Sequence, residues 1–107
     1  MGTTDRTFDV VEFATKRLGA AGRSLSEATR LFGMPIGRRY IQRLGIIRAT
    51  DHFRELYGHR ALPLHPLTRG DRSGQYGMTL TANFRLILER ISEDKVRVLD
   101  VEDYHGD

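Results

Sequence analysis

The apolar residues of this chain change their spacing once, after Pro63, from the three-to-four step of a helix to the two-step alternation of a strand. That change confines the fold to a helical segment followed by a sheet. Before it, Ser24-Leu25-Ser26-Glu27 forms a capping box: the Ser24 hydroxyl accepts from the Glu27 amide and the Glu27 side chain reaches back. Leu25, Ala28, Leu31 and Phe32 then share a helical face, and Gly33 is placed to stop the helix. Pro35 fits the first turn of a second helix, whose Ile36, Tyr40, Leu44 and Ile47 keep the helical step. Arg38, Arg39, Gln42 and Arg43 fall mostly off that stripe. Gly45 weakens this helix by roughly 1 kcal/mol relative to alanine unless close packing requires it. A short helical turn is expected from Asp51 to Tyr57.

After Pro63, Tyr76, Met78 and Leu80 share one strand face. Phe84, Leu86 and Leu88 share another, leaving Arg85, Ile87 and Glu89 opposite. Ala82-Asn83 reads as the hairpin turn between these strands, with Asn83 able to adopt positive φ. Ser92-Glu93-Asp94-Lys95 then turns the chain into Val96 to Val101, completing an antiparallel meander. Near the N-terminus, Thr7 to Phe13 mixes β-branched and aromatic residues and reads as a first strand. The glycines between Leu18 and Arg23 are expected to interrupt any regular element. The expected architecture is a single α+β domain over residues 1–107. It has a small antiparallel β-sheet, made of the N-terminal strand and the C-terminal meander, with two or three helices packed on one face.

Composition narrows the function classes. With 107 residues, 39% hydrophobic and 29% charged, the chain can bury one modest core. No apolar run reaches the length a bilayer requires, and no signal-peptide core follows Met1-Gly2-Thr3-Thr4-Asp5-Arg6, so a cytoplasmic protein with no membrane partner is expected. Cysteine is absent, and no three histidines or carboxylates stand at ligand spacing, so neither a metal nor another cofactor is expected. The net charge of +3 is uneven: residues 1–90 hold 15 Lys and Arg against 8 Asp and Glu, and residues 91–107 hold 2 against 6. A basic body suits a polyanion, nucleic acid first, although an arginine-favouring composition produces the same bias. Only Lys16 and Lys95 are lysines, and the arginine fork suits bidentate phosphate contacts.

Arg85 is the leading candidate for chemistry. It lies mid-strand between Phe84 and Leu86, on the side that the helices would leave open, where an anion would meet its guanidinium. An arginine on a solvated sheet face is the plainer reading. His65, Arg69, Asp71 and Arg72 lie in a loop-like stretch from Leu64 to Gly74. Asp103-Tyr104-His105 follows the last strand, and alternation carries Val101 and Asp103 to one face with Glu102 and Tyr104 on the other. Chain ends often fray without function, but an imidazole beside a carboxylate titrates near neutrality.

Four segments in order carry a family pattern: Leu64-His65-Pro66-Leu67; Gly70-Asp71-Arg72 with Gly74-Gln75-Tyr76; Ala82-Asn83-Phe84-Arg85-Leu86; and Glu102-Asp103-Tyr104-His105. In these the chain resembles the RelE/ParE superfamily of toxins, and within it the HigB branch of plasmid-maintenance killer proteins. The resemblance covers roughly the C-terminal two-fifths, from Leu64 to His105. It implies a RelE-like fold and a type II toxin: a ribosome-dependent, metal-independent messenger-RNA endonuclease that inhibits translation. The implied partners are a cognate helix-turn-helix antitoxin, the ribosome and mRNA. By position, His65, Arg85, Asp103, Tyr104 and His105 match the family's active-site residues. Where family members often carry a single lysine between the two loop units, this chain has Thr68-Arg69, and Gly106-Asp107 extends past His105.

Cleavage of this kind needs a base for the 2′-hydroxyl, a cation for the charge gathering on phosphorus and an acid for the leaving 5′-oxygen. The resemblance implies Arg85, helped by Arg69 or Arg72, as the cation, with proton transfer shared by His105 and His65. Asp103 would orient His105, and Tyr104 would pack on a base or donate a hydrogen bond. Arg38, Arg39 and Arg43 would contact ribosomal RNA. Two alternatives stay open: a ParE-like inhibitor of DNA gyrase with the same fold, and a catalytically degenerate RNA- or antitoxin-binding module.

Overall fold

Helical stripes and strand alternation meet on one side of a five-stranded sheet. The computed structural model describes residues 11–57, 64–68 and 70–103. In chain order the elements are β1 (Val11–Phe13), α1 (Lys16–Ala21), α2 (Leu25–Phe32), α3 (Ile36–Arg48), α4 (Phe53–Tyr57), β2 (Leu64–Pro66), β3 (Gln75–Thr79), β4 (Phe84–Ser92) and β5 (Lys95–Asp103). The sheet order is β1-β5-β4-β3-β2, so β4 is the middle strand. The architecture is α+β, as expected, but the sheet is mixed: β2 through β5 pair antiparallel, whereas β1 lies parallel to β5. Residues 7–10 of the expected first strand lie outside the described residues.

Local chemistry accounts for α1 and α2. Ser24 caps α2 by accepting from the Glu27 amide at 3.1 Å, while the Glu27 carboxylate pairs with Arg30 at 4.0 Å. Gly33 ends α2 at φ 77, where a side chain would be strained. Contrary to the expected interruption, Leu18 to Ala21 belongs to a helix. Thr15 supplies its N-cap by accepting from the Leu18 amide at 3.1 Å, and Gly22 closes it. The glycine at 22 serves packing, because a Cβ there would lie 2.9 Å from Phe13 Cζ and 3.1 Å from Leu44 Cδ1.

The core lies between the helices and one sheet face. Tyr40, Leu44 and Ile47 of α3 pack with Met78, Leu86, Leu88, Val96 and Val98. Burying side chains of this size contributes about 1.5–3 kcal/mol each relative to exposure. Tyr40 is fully buried and its hydroxyl donates to the Leu18 carbonyl at 2.7 Å, tying α3 to α1. Burial pushes the Tyr40 phenol upward in pKa, so it stays a neutral donor. The β3–β4 connection closes with the Leu80 and Thr81 amides donating to the Phe84 carbonyl. Among the described residues no non-glycine has positive φ, so Asn83 turns the chain without the left-handed conformation. Leu64 to Pro66, expected as loop, is an edge strand, because its three residues pair with Tyr76 to Met78.

Gly37 and Gly45 of α3 have opposite surroundings. A Cβ at Gly37 would sit 2.8 Å from the Ala28 and Thr29 backbone, so Gly37 sets how closely α3 approaches α2. At Gly45 a Cβ meets nothing within 4 Å, so close packing does not explain this glycine. Urea unfolding should therefore show Gly37→Ala destabilised by about 1–3 kcal/mol. Gly45→Ala should be stabilised by up to about 1 kcal/mol. Equal effects of one sign would contradict this reading of the α2–α3 contact.

Candidate functional site

Strand register decides which side chains meet. From Phe84 to Ile87, β4 pairs residue by residue with Asp103 to Asp100; the register then shifts, and Leu88 pairs with Val98. Leu99 is thus a surplus residue, a β-bulge in β5. Val96 and Val98 face the core beside Leu88, and past the bulge Val101 lies opposite Leu86 on the same side. Without the bulge, alternation from Val98 would have turned Glu102 toward the helices. With it, Glu102 lies opposite Arg85 on the other face, next to Thr79 in the same row.

The side chains use that register. Arg85 Nη2 lies 3.3 Å from Glu102 Oε1, and Arg72 Nη2 lies 2.8 Å from Glu102 Oε2. One carboxylate therefore bridges two guanidiniums and leaves the trio with a net positive charge. Arg72 is held again from behind, since its Nε donates to Gln75 Oε1 at 3.1 Å and its carbonyl accepts from the Gln75 amide at 2.9 Å. Gly77, opposite Ile87 on β4 and His65 on β2, makes room for the Arg85 side chain. A Cβ there would lie 3.3 Å from both Arg85 Cδ and Leu67 Cδ2. The arginine stem consequently lies across β3 toward the edge that carries His65. Neighbouring strands are about 4.8 Å apart, so this direction spans part of the roughly 10 Å between β4 and β2.

A second charged row crosses the same face. Arg97 reaches Glu12 and Glu89, each at 3.1 Å, and Lys95 lies 3.5 Å from Glu12. The hydrogen bond from Arg97 lowers the Glu12 pKa, helped by the Lys95 charge and opposed by burial. Two cations offset two acids there. Of the two rows, the one in which two arginines share one carboxylate is Arg72–Glu102–Arg85.

The other candidates divide. His65 is exposed on β2, on Arg85's face by register. Asp103 is exposed opposite Phe84, on the other side of the sheet. Arg38 and Arg39 are exposed on α3. Arg43 is a correction: it is 6% exposed, its Nε and Nη2 donate to the Thr79 carbonyl at 3.2 Å, and its Nη1 donates to Gln42 Oε1. It fastens α3 to the end of β3 instead of presenting a charge to RNA. Burial, aided by the neighbouring Arg39 charge, lowers its pKa. Arg69, Tyr104 and His105 lie outside the described residues. Gly77 was not singled out from sequence, and Glu102 was placed on the face opposite Val101 but given no role. Glycine inside an alternating strand signals a close approach and could have marked Gly77, but the pairing of Glu102 with Arg85 depends on a bulge that alternation alone does not locate.

Among the described residues no three His, Asp or Glu side chains converge as a metal-ligand set, and no helix is long and apolar enough to cross a membrane. No protein-family model matches the chain, and no curated protein matches it significantly.

Burial alone would raise the Glu102 pKa, but the hydrogen bonds and charges of Arg72 and Arg85 outweigh it and hold the carboxyl below its ordinary 4.5. A depressed folded-state pKa adds stability that is complete above the unfolded value and lost as pH falls through the folded one. A carboxyl-detected NMR titration should place the Glu102 midpoint below 4.5, moving upward in Arg72→Gln. The stability difference between wild type and Glu102→Gln should shrink as pH drops through that midpoint. A Glu102 midpoint unaffected by Arg72→Gln would exclude the bridge in solution.

Proposed function

We propose that this chain is the toxin of a type II toxin-antitoxin pair, a ribosome-dependent endoribonuclease of the RelE/ParE superfamily nearest the HigB branch, acting in the cytoplasm. The observation that carries the reading is the paired Arg85 and Arg72 on the sheet face opposite the helices, with His65 on the same face. Fixed guanidiniums stabilise charge that develops on a phosphate without reorganising at the moment of reaction.

In this mechanism the 2′-oxygen attacks the adjacent phosphorus as a base removes its proton. The bond from phosphorus to the 5′-oxygen breaks, and an acid protonates that oxygen. The products are a 2′,3′-cyclic phosphate and a 5′-hydroxyl, and no external water or redox partner is consumed. Arg85 and Arg72, with Arg69, bind the phosphate; His65 and His105 share the proton transfers and Tyr104 packs on a base, while Asp103, on the other side of the sheet by register, is left without the orienting role. The ribosome would hold the message in line for attack. Charge layout supports that partner. Residues 14–50, which contain α1 to α3, carry eight Lys and Arg against Glu27 alone, while residues 64–103 carry six against seven acids. Exposed Arg38 and Arg39 with Lys16, Arg17, Arg23 and Arg30 form a basic helical layer suited to an RNA backbone. The antitoxin would be a small helix-turn-helix protein.

One observation favours a second reading, a non-catalytic RNA- or antitoxin-binding module: Glu102 already engages both guanidiniums, which are then partly neutralised as a catalytic cation. Primer extension on transcripts after induction separates the readings. Cuts within translated codons support the nuclease, whereas DNA damage without RNA cuts would favour gyrase inhibition, and neither would favour the binding module. Arg85→Ala should abolish growth arrest while its circular dichroism and unfolding midpoint stay near wild type; a fully toxic Arg85→Ala removes Arg85 from the site.

A further inference from the structure

We propose that Glu102 is the resident anion of a phosphodiester seat formed by Arg72 and Arg85, displaced when nucleic acid enters, an inference that rests on the nuclease reading of the same face. The two carboxylate oxygens are divided between the two guanidiniums, Oε2 to Arg72 at 2.8 Å and Oε1 to Arg85 at 3.3 Å. A phosphodiester offers the same pattern: one negative charge shared by two non-bridging oxygens, each an acceptor for a guanidinium N–H. Glu102 therefore occupies, from within the chain, the place its ligand would take.

The seat outlasts the departure of its occupant. Arg72 remains tied to Gln75 through both its Nε and its carbonyl, and the Arg85 stem remains bedded over Gly77. Glu102 is the member free to turn, with a side chain 29% exposed on the open face of the last strand. When it swings into water, the guanidinium N–H groups it held turn to a single phosphate. While it is seated those donors are committed. Weak monovalent anions then gain little by entering, and a ligand anchored elsewhere on the protein, as RNA on the basic helical layer would be, gains enough to displace it. The nearby Arg97 row cannot substitute, since Glu12 and Glu89 offset its cations.

The test uses the full chain and inorganic phosphate as the probe, followed by arginine Nε–Hε NMR. Glu102→Gln should bind phosphate about three- to tenfold more tightly than wild type, because a partly exposed competing charge has been removed. Shifts should fall on Arg72 and Arg85, and the gain should vanish in Glu102→Gln/Arg72→Gln. In the wild type, the Glu102 carboxyl 13C resonance should move as phosphate saturates. Equal or weaker phosphate binding by Glu102→Gln, or a stationary Glu102 resonance at saturation, overturns the proposal. The nuclease reading fails separately, by the absence of transcript cuts, since phosphate binding requires no cleavage.

Discussion

The register between β4 and β5 governs what this protein can present to a ligand. β4 is hydrogen-bonded on both sides, by β3 and β5, so its own alternation leaves no choice: Leu86 and Leu88 go to the helices and Arg85 to the opposite face. β5 has to serve the core on both sides of Leu99 with valines spaced two and then three apart, at Val96, Val98 and Val101. A regular strand cannot turn all three to one side. The bulge at Leu99 reconciles that spacing with one core face, and in doing so it turns Glu102 toward Arg85. Packing Val101 against the edge of the core and placing the acid beside Arg85 thus follow from the same bulge.

Charge is divided between layers in a way the linear sequence disguises. Read along the chain, the cation excess runs through residue 90 and the acids collect at the end. In the fold the excess belongs to residues 14–50, while the strands and their turns are close to neutral because most of their arginines have carboxylate partners. Screening restricts such a field to about 8–10 Å at ordinary ionic strength. The helical layer can therefore attract a large polyanion to itself, but it does little for charge at the opposite sheet face. Local guanidiniums have to provide that.

Much of the fold was legible because local signals and burial agree. The Ser24 cap, the Gly33 stop, the α3 stripe and the alternation around Leu86 each survive into the structure. What failed was non-local or masked by a competing local cue. Parallel pairing of β1 with β5 joins segments more than 80 residues apart, and nothing within Val11 to Phe13 announces a partner at Val96 to Val98. The glycines of α1 read as breakers, although Thr15 caps the helix and Gly22 is glycine because Phe13 and Leu44 crowd it. Arg43 lay beside the apolar stripe and looked solvated; the carbonyl that buries it, on Thr79, belongs to a different element. The candidate site was legible in Arg85, whose face follows from alternation, and in the placement of Glu102 on the face opposite Val101. His65, expected in a loop, takes its face from pairing with β3, and the bulge that sets Glu102 beside Arg85 was not legible.

The same arginine side chain does two different jobs here, and the surroundings decide which. Arg43 spends its donors on a carbonyl and an amide in a nearly dry position, so its loss would leave Thr79 unsatisfied and register as instability. Arg85 lies beside Ile87, which is 1% exposed yet belongs to the face away from the main core. A buried aliphatic floor and the absent Cβ at Gly77 let the guanidinium lie low against the sheet, where less water competes for its hydrogen bonds. The carboxylate that meets it is anionic and partly exposed, hence exchangeable, whereas the carbonyl held by Arg43 is fixed in the backbone. Exchangeability of the partner, more than exposure of the arginine, is what separates Arg85, proposed as a phosphate ligand, from Arg43, which fastens α3 to β3.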